Sequence, residues 1–467
     1  MEKRYRVPEL RMALIICVCF FLTSTGWLSW LYHIIELGFS EFADFFTLVC
    51  GYLTQAVGVA VYLALRKGLR DADRSISLAS IVVYALLCVP ASLANNLVAT
   101  LAFGLLSNIP CGMIQGIYLC LLAEQVDPDH QGTMFGCGYA LSTLMTWLLS
   151  LPASGALTLG IPSPAVCAVV SVIAFVLVRE AFVETSTEGV AKGFDPPDAA
   201  MPRDLLFLAS AAIVLASLVK TAGFSFPSTD LVSGVNLEFS RLLYGFGLVV
   251  AGVASDRDRR YGLIICTMAL VMPFLMLALS GAGAPEAFLW LTGYFLNGFF
   301  TVFRVLLMVD LARRYALPGV AALGLLMGRT GDALGSMLCL ALSGTPMVLI
   351  GVTAVLFMLA AGCFVVLYQR FYQAETSGAQ DEESVGEPEQ VSVPSAREVF
   401  ELFAARYGLT ARERDVLRLV LAEKSNSEIA SELFVSEGTV KYHVGNLLKK
   451  TECKNRLEVL ALYARGE

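Results

Sequence analysis

The sequence predicts an all-α protein: a polytopic bundle of twelve transmembrane helices in two six-helix halves, followed by a small soluble domain of four helices. Three observations predict it. The chain is 57% hydrophobic and only 16% charged over 467 residues, where soluble domains carry about a quarter charged residues, so an ordinary soluble enzyme is excluded. Apolar runs of roughly twenty residues recur through the first 370 positions, too long for strands and for most core helices. After Arg370 the chain turns acidic and then into short periodic segments with helix-capping residues at their starts.

In order, the apolar runs fall near 11–32, 42–65, 76–95, 97–123, 133–153, 161–182, 205–224, 239–255, 261–281, 285–309, 318–342 and 345–371. Backbone in lipid must satisfy its hydrogen bonds internally, and runs of this length suit helices rather than the alternating strands of a barrel. The first run follows Lys3, Arg4, Arg6 and Arg11 and continues to Tyr32 without a small-residue cleavage pattern, so it reads as a retained span rather than a signal peptide. Lys and Arg collect in cytoplasmic loops. Here they cluster at the N-terminus, after the second run (Arg66, Lys67, Arg70, Arg74), after the eighth (Arg257, Arg259, Arg260) and after the tenth (Arg313, Arg314). These even-numbered exits predict a multi-pass plasma-membrane protein with both termini in the cytoplasm. The loop after the first run, with His33, Glu36, Glu41 and Asp44 and no Lys or Arg, agrees, whereas the acidic cytoplasmic loop 124–132 gives the rule no support. The cysteines fall almost entirely in or beside apolar runs without C-x-x-C spacing and read as small packing residues.

The runs divide six and six around a polar segment, 183–204, that contains Pro196 and Pro197. The halves, 11–182 and 205–371, are nearly equal in length, which points to a duplicated unit. Gly252-Val253-Ala254-Ser255-Asp256-Arg257-Asp258-Arg259-Arg260 is similar to the G-x-x-x-D-R-x-G-R-[RK] loop of the major facilitator superfamily, one residue short and without the loop glycine. The stretch from Gly58 to Arg70 keeps the basic residues but lacks an acidic partner. Together with the two equal halves, this loop resembles that superfamily and implies two parallel six-helix halves joined by a cytoplasmic loop.

Charges inside the runs are few, and burying each in lipid is costly. Those placed well inside a run include Lys220 in run seven, Arg304 in run ten, and Arg329 with Asp332 in run eleven, the last two on one helical face. One reading is an interior site for an anionic or polar ligand, an unknown small molecule. The other is structural: Arg329 neutralised by Asp332, Arg304 by Asp310 or a helix terminus, and Lys220 reaching toward the membrane interface. Gly223 to Ser228 reads either as a break in a discontinuous helix or as the outer end of run seven.

Residues 372–395 hold Glu375, Asp381, Glu382, Glu383, Glu387 and Glu389 without one Lys or Arg, the composition of a flexible acidic linker. Its root-mean-square reach is on the order of 27 Å. The domain expected over 396–467 begins its helices with capping residues. Thr410 with Glu413 and Ser425 with Glu428 form capping boxes, and Ser436 caps a third helix with Thr439 in its first turn. Val416, Leu417, Val420 and Leu421, then Ile429, Ala430 and Leu433, then Val440, Val444, Leu447 and Leu448 mark inner faces. A short helix, a tight turn and a longer helix are the layout of a helix-turn-helix.

The stretches Leu409 to Leu417, Ser425 to Ala430, Thr439 to Asn446 and Asn455 to Glu458 closely resemble the LuxR-type DNA-binding domain. The resemblance covers roughly the last sixty residues. It implies a four-helix domain that binds double-stranded DNA as a homodimer, with the last helix, about 454–465, as the dimer surface. Lys424 stands where the family usually has glycine, Thr451 replaces a common leucine, and Gly445 occupies a groove-facing position often filled by a longer side chain. The candidate DNA-binding residues are Ser436, Thr439, Lys441, Tyr442, Asn446, Lys449 and Lys450. Lys450 is placed for phosphate, and Lys441 and Tyr442 are within reach of base edges or of backbone alone. His443 reads as a packed structural residue. Over 396–467 twelve Lys or Arg face eleven acids, so any DNA affinity rests on the local cluster Lys441, Lys449, Lys450, Lys454 and Arg456.

The organisation expected is thus a transmembrane domain over 1–371, a linker over 372–395 and a DNA-binding domain over 396–467. Its expected role is that of a membrane-embedded one-component transcriptional regulator that senses a signal through a transporter-like bundle. The alternative is a secondary transporter with a regulatory tail. No nucleophile constellation, metal-ligand cluster or phosphate loop is legible, and His33, His130 and His443 are the only histidines, so neither enzyme chemistry nor a cofactor is expected. The partners expected are DNA, membrane lipid, a second copy and the unknown ligand.

Overall fold

The computed structural model describes residues 7–68, 73–150, 162–187, 201–224, 237–272, 286–373, 400, 403–404, 406–422, 424–433, 435–451 and 453–464. Residues 374–395 of the expected acidic linker, the prolines of the central loop, residues 225–228 of the break after run seven, Arg70 and the N-terminal Lys3, Arg4 and Arg6 lie outside them. The chain divides into two compact units, Met1–Ser377 and Gly378–Glu467. Helix is the only regular structure among the described residues.

In the first unit α1 (Val7–Glu36) is followed by α2 (Ser40–Asp44), a π-helical turn (Phe45–Cys50) and α3 (Gly51–Gly68), which together fill the second apolar run. Next come α4 (Asp73–Leu93), α5 (Leu97–Gln125), α6 (Gln131–Ser150) and α7 (Pro162–Thr187). The second half holds α8 (Arg203–Phe224), α9 (Leu237–Arg257), α10 (Arg259–Ala269), α11 (Glu286–Arg314), α12 (Gly319–Leu342) and α13 (Pro346–Leu367). Each predicted run overlaps helix where its residues are described, the second on α2, the π-helical turn and α3 together and the ninth on α10 over 261–269. Among the described residues, eight helices are long and apolar enough to cross a membrane. The runs outside that set fall on α6, α7, α9 and α10. Of these, α6 and α9 spend small and polar residues on each other, whereas α10 is described over only eleven residues.

The halves meet where α3 packs on α12 and α6 packs on α9. The helix on the second apolar run of each half thus meets the helix on the fifth run of the other in both crossings. The α6–α9 crossing brings backbones into contact. A Cβ added to Gly252 would stand 2.2 Å from the Gly132 carbonyl oxygen, so only hydrogen fits there.

The loop after α9 closes this crossing. The Asp256 carboxylate accepts from the Gly132 and Thr133 amides, at 2.7 and 2.6 Å, at the start of α6, where a helix presents unpaired donors and a partial positive charge. Arg259 spans Asp256 at 2.9 Å and Asp310 at 3.1 Å, and donates to the Pro128 carbonyl at 2.7 Å. Asp310 is therefore taken by Arg259. The acidic loop 124–132 is also supplied with cations by its neighbours: Arg66 pairs with Glu124, and Arg313 donates to the Ala123 and Val126 carbonyls at 3.1 and 2.6 Å.

The second unit contains α14 (Ala411–Leu421), α15 (Asn426–Glu432), α16 (Glu437–Lys450) and α17 (Arg456–Ala464). Both expected capping boxes form, Thr410 with Glu413 and Ser425 with Glu428. Val416, Val420, Ile429, Ala430 and Val440 make one cluster between α14, α15 and α16. Leu409, Leu417, Leu447 and Val459 make a second with Phe400, Phe403 and Ala404, which precede α14.

Candidate functional site

The second unit presents one face of α16 to solvent. Ser436 caps the helix by accepting from the Thr439 amide at 3.1 Å, and its hydroxyl lies 2.8 Å from that of Thr439. These two residues therefore fix where the helix begins. One turn in, Lys441 and Tyr442 are exposed, Tyr442 at 66%. Lys449 continues the same face at helical spacing, and Asn446 lies half-buried beside it. Gly438 has only the Ser436 hydroxyl near its missing Cβ, and Gly445 has nothing within 4 Å, so the backbone on this face is open to close approach. The Lys441 ammonium rests 3.3 Å from Glu437, a surface pair that a phosphate can displace. His443 is half-buried, packed edge-on to Tyr442.

Two residues of the expected basic cluster turn inward. Lys450 does not project from the groove face: its ammonium donates to Glu413 at 2.6 Å and to the Gly408 carbonyl at 2.8 Å. It ties the end of α16 to the start of α14. Burial pushes the Glu413 carboxyl up, but the bonds from Lys450 and from the Thr410 amide and hydroxyl outweigh it and hold the carboxyl below its ordinary range. Arg456 donates to the Lys424 carbonyl at 2.7 Å, closing the turn before α15. Lys424 pairs with Glu432. The exposed basic residues left on or beside α16 are Lys441, Lys449 and Lys454.

The first unit contains a cavity of about 290 Å³ lined by both halves. It gathers all four intramembrane charges singled out from the sequence: Lys220 from α8, Arg304 from α11, and Arg329 and Asp332 from α12. Asp332 is the hub, 2.7 Å from Lys220, 3.2 Å from Arg304 and 3.8 Å from Arg329. Lys220 therefore points inward to Asp332 rather than toward an interface, and Arg304 pairs with Asp332 rather than Asp310. Both structural alternatives read from the sequence are replaced by one cluster, because three helices converge on a single carboxylate. Thr221 also donates to Asp332, at 3.3 Å.

Three cations face one acid among the cavity's lining residues, leaving two positive charges in surplus. Arg329 is the most loosely held. It lies over the Tyr52 ring at 4.6 Å and donates weakly to Gln115 at 3.4 Å. The Nε atoms of Arg304 and Arg329 are buried without a hydrogen-bond partner. Buried donors without acceptors cost free energy unless something supplies the acceptor. The aromatic and amide residues around them, Tyr52 and Gln115 included, were missed from the sequence because each looks like ordinary bundle packing until the cations are placed beside it.

Residues 408–463 match the family described as bacterial regulatory proteins, luxR family. Over 58 residues the chain is 55% identical to an uncharacterized transcriptional regulatory protein, YhcZ, of Bacillus subtilis, covering 12% of this chain and 27% of that protein. Over 66 residues it is 44% identical to the spore germination protein GerE of Bacillus subtilis, covering 14% of this chain and 89% of that protein. The likeness to the first relative thus spans under a third of its length, whereas the second is matched almost whole. The crystal structure of the human organic anion transporter MFSD10 (TETRAN) superposes with a TM-score of 0.52 at 15% identity, over 77% of this chain and 100% of that one. The large unit therefore has a major-facilitator-like fold.

Proposed function

Since the chain belongs, through its C-terminal domain, to the luxR family of bacterial regulatory proteins, we propose that it is a membrane-embedded one-component transcriptional regulator. The observation that carries this reading is the capped helix-turn-helix joined in one chain to a transporter-like bundle whose cavity holds unneutralised cations. The domain binds promoter DNA with Lys441, Tyr442 and Lys449 on the exposed face of α16, Thr439 and Asn446 at its edges and Ser436 fixing its start. Lys450 acts from behind, through the Glu413 anchor.

The bundle crosses the plasma membrane with both termini in the cytoplasm and binds a small anionic ligand at Arg329 and Arg304, with Lys220 and Asp332 completing the cluster. Ligand binding biases pairing of two bundles, which raises the local concentration of two DNA-binding domains joined through α17. Genomic footprinting of the intact protein tests the role: protected promoters are expected, and they are lost in Lys441→Ala. A chain that protects no DNA in either form refutes it.

The transporter fold of the bundle favours one other reading, a secondary transporter whose tail regulates its own gene. Ligand counterflow in reconstituted vesicles separates the two, since a sensor binds without exchange.

A further inference from the structure

The cavity that carries the anion-sensing reading has a second chemical character. Phe20 on α1 stacks on Tyr139 of α6 with ring centroids 3.6 Å apart. Tyr118 of α5 lies 5.0 Å from Phe20, and Tyr244 of α9 meets Tyr139 edge-on at 5.5 Å. Phe20, Tyr118, Tyr139 and Tyr244 all line the cavity with Arg304, Arg329 and Lys220. A continuous ladder of rings, crossing from the first half to the second, thus shares one cavity with a cationic cluster in surplus of acid.

Core packing needs apolar surface but does not need four ring faces and edges bordering an open volume. Aromatic groups prefer offset-stacked or edge-to-face partners, and their attraction exceeds what the buried area alone supplies. The volume, about 290 Å³, suits one small ring system rather than a peptide or a lipid chain. We infer that the ligand is an aromatic organic anion, its acid group on Arg329 and Arg304 and its ring against the Phe20–Tyr139–Tyr244 ladder. This rests on the anion-sensing reading and narrows it. An inorganic anion would satisfy the cations and leave the ladder unused, whereas a saturated acid of the same shape would fill the space without the ring contacts.

Isothermal titration calorimetry on the full chain in lipid nanodiscs, with empty nanodiscs as the blank, tests it. The probes are naphthoate, its saturated decahydronaphthoate analogue, naphthalenemethanol and inorganic phosphate. Naphthoate is expected to bind about three- to tenfold tighter than the saturated acid, and tighter still than the alcohol or phosphate. Arg329→Gln should abolish binding of both acids with the gel-filtration profile unchanged. Tyr139→Leu should equalise the two acids while both still bind, which keeps the test decisive should Arg329→Gln fold poorly. Equal affinities for the two acids in the wild-type chain, or tighter binding of phosphate, would overturn the aromatic assignment and leave the anion site standing. Binding of neither acid, or binding indifferent to Arg329→Gln in a folded chain, would overturn both.

Discussion

Lys450 and Lys441 stand about two and a half turns apart on one helix, on opposite faces, and have opposite tasks. The Lys450 ammonium is held by Glu413 and the Gly408 carbonyl, so it lends stability; that of Lys441 is exposed and paired only across the surface. Lys441→Ala should therefore weaken DNA binding and lower the slope of log affinity against log salt by about 0.9, the share of one phosphate. Lys450→Ala should leave that slope unchanged and destabilise the domain by about 1 kcal/mol in denaturant titrations. The sign of the pH effect follows from Glu413, whose carboxyl titrates below its ordinary value of 4.5 in the folded domain. Its stabilisation is complete above that value and is lost as pH falls through the lower folded one. Melting temperature should drop in that acid window, and the drop should be shallower in Lys450→Ala. On sequence alone Lys450 is placed for phosphate, because nothing local shows Glu413, which is 37 residues away and becomes its neighbour only when α14 and α16 pack.

Among the elements, α16 and the α6–α9 crossing use glycine in opposite ways. Nothing stands within 4 Å of a Cβ on Gly445, so Gly445→Ala should stabilise the domain by about 1 kcal/mol through helix propensity alone. The same variant should bind DNA more weakly, because the methyl group holds the helix away from the groove floor; unchanged affinity would remove the case for close approach. Gly252→Val should do the reverse in the bundle, lowering its thermal stability, since the Gly132 carbonyl leaves no room for a side chain. The helix starts of the second unit were legible because a capping box is local: Thr410 with Glu413 and Ser425 with Glu428 are three residues apart. The Asp256 cap on α6 was not, because donor and acceptor belong to different halves, 123 and 124 residues apart. Its loop was recognisable only as a partial family pattern.

At the scale of the whole molecule, two chemistries that the average composition blends are separated along one chain. The hydrophobic excess and the four interior charges belong to the bundle, and the exposed basic residues proposed to meet DNA, Lys441 and Lys449, sit on one helix of the small unit. Run length made the helices legible, and the two equal halves together with the loop after α9 made the major-facilitator-like fold legible. The convergence of Lys220, Arg304 and Arg329 on Asp332 was only half visible, since periodicity pairs Arg329 with Asp332 but says nothing of which face α8 and α11 turn inward. The proposed signal is pairing, so the decisive measurement is the DNA affinity of fragment 396–467 alone and fused to a dimerising coiled coil, on an operator found by footprinting. A gain on the order of a hundredfold or more for the fused form is expected from effective concentration. Equal affinity of the two forms would contradict control through pairing.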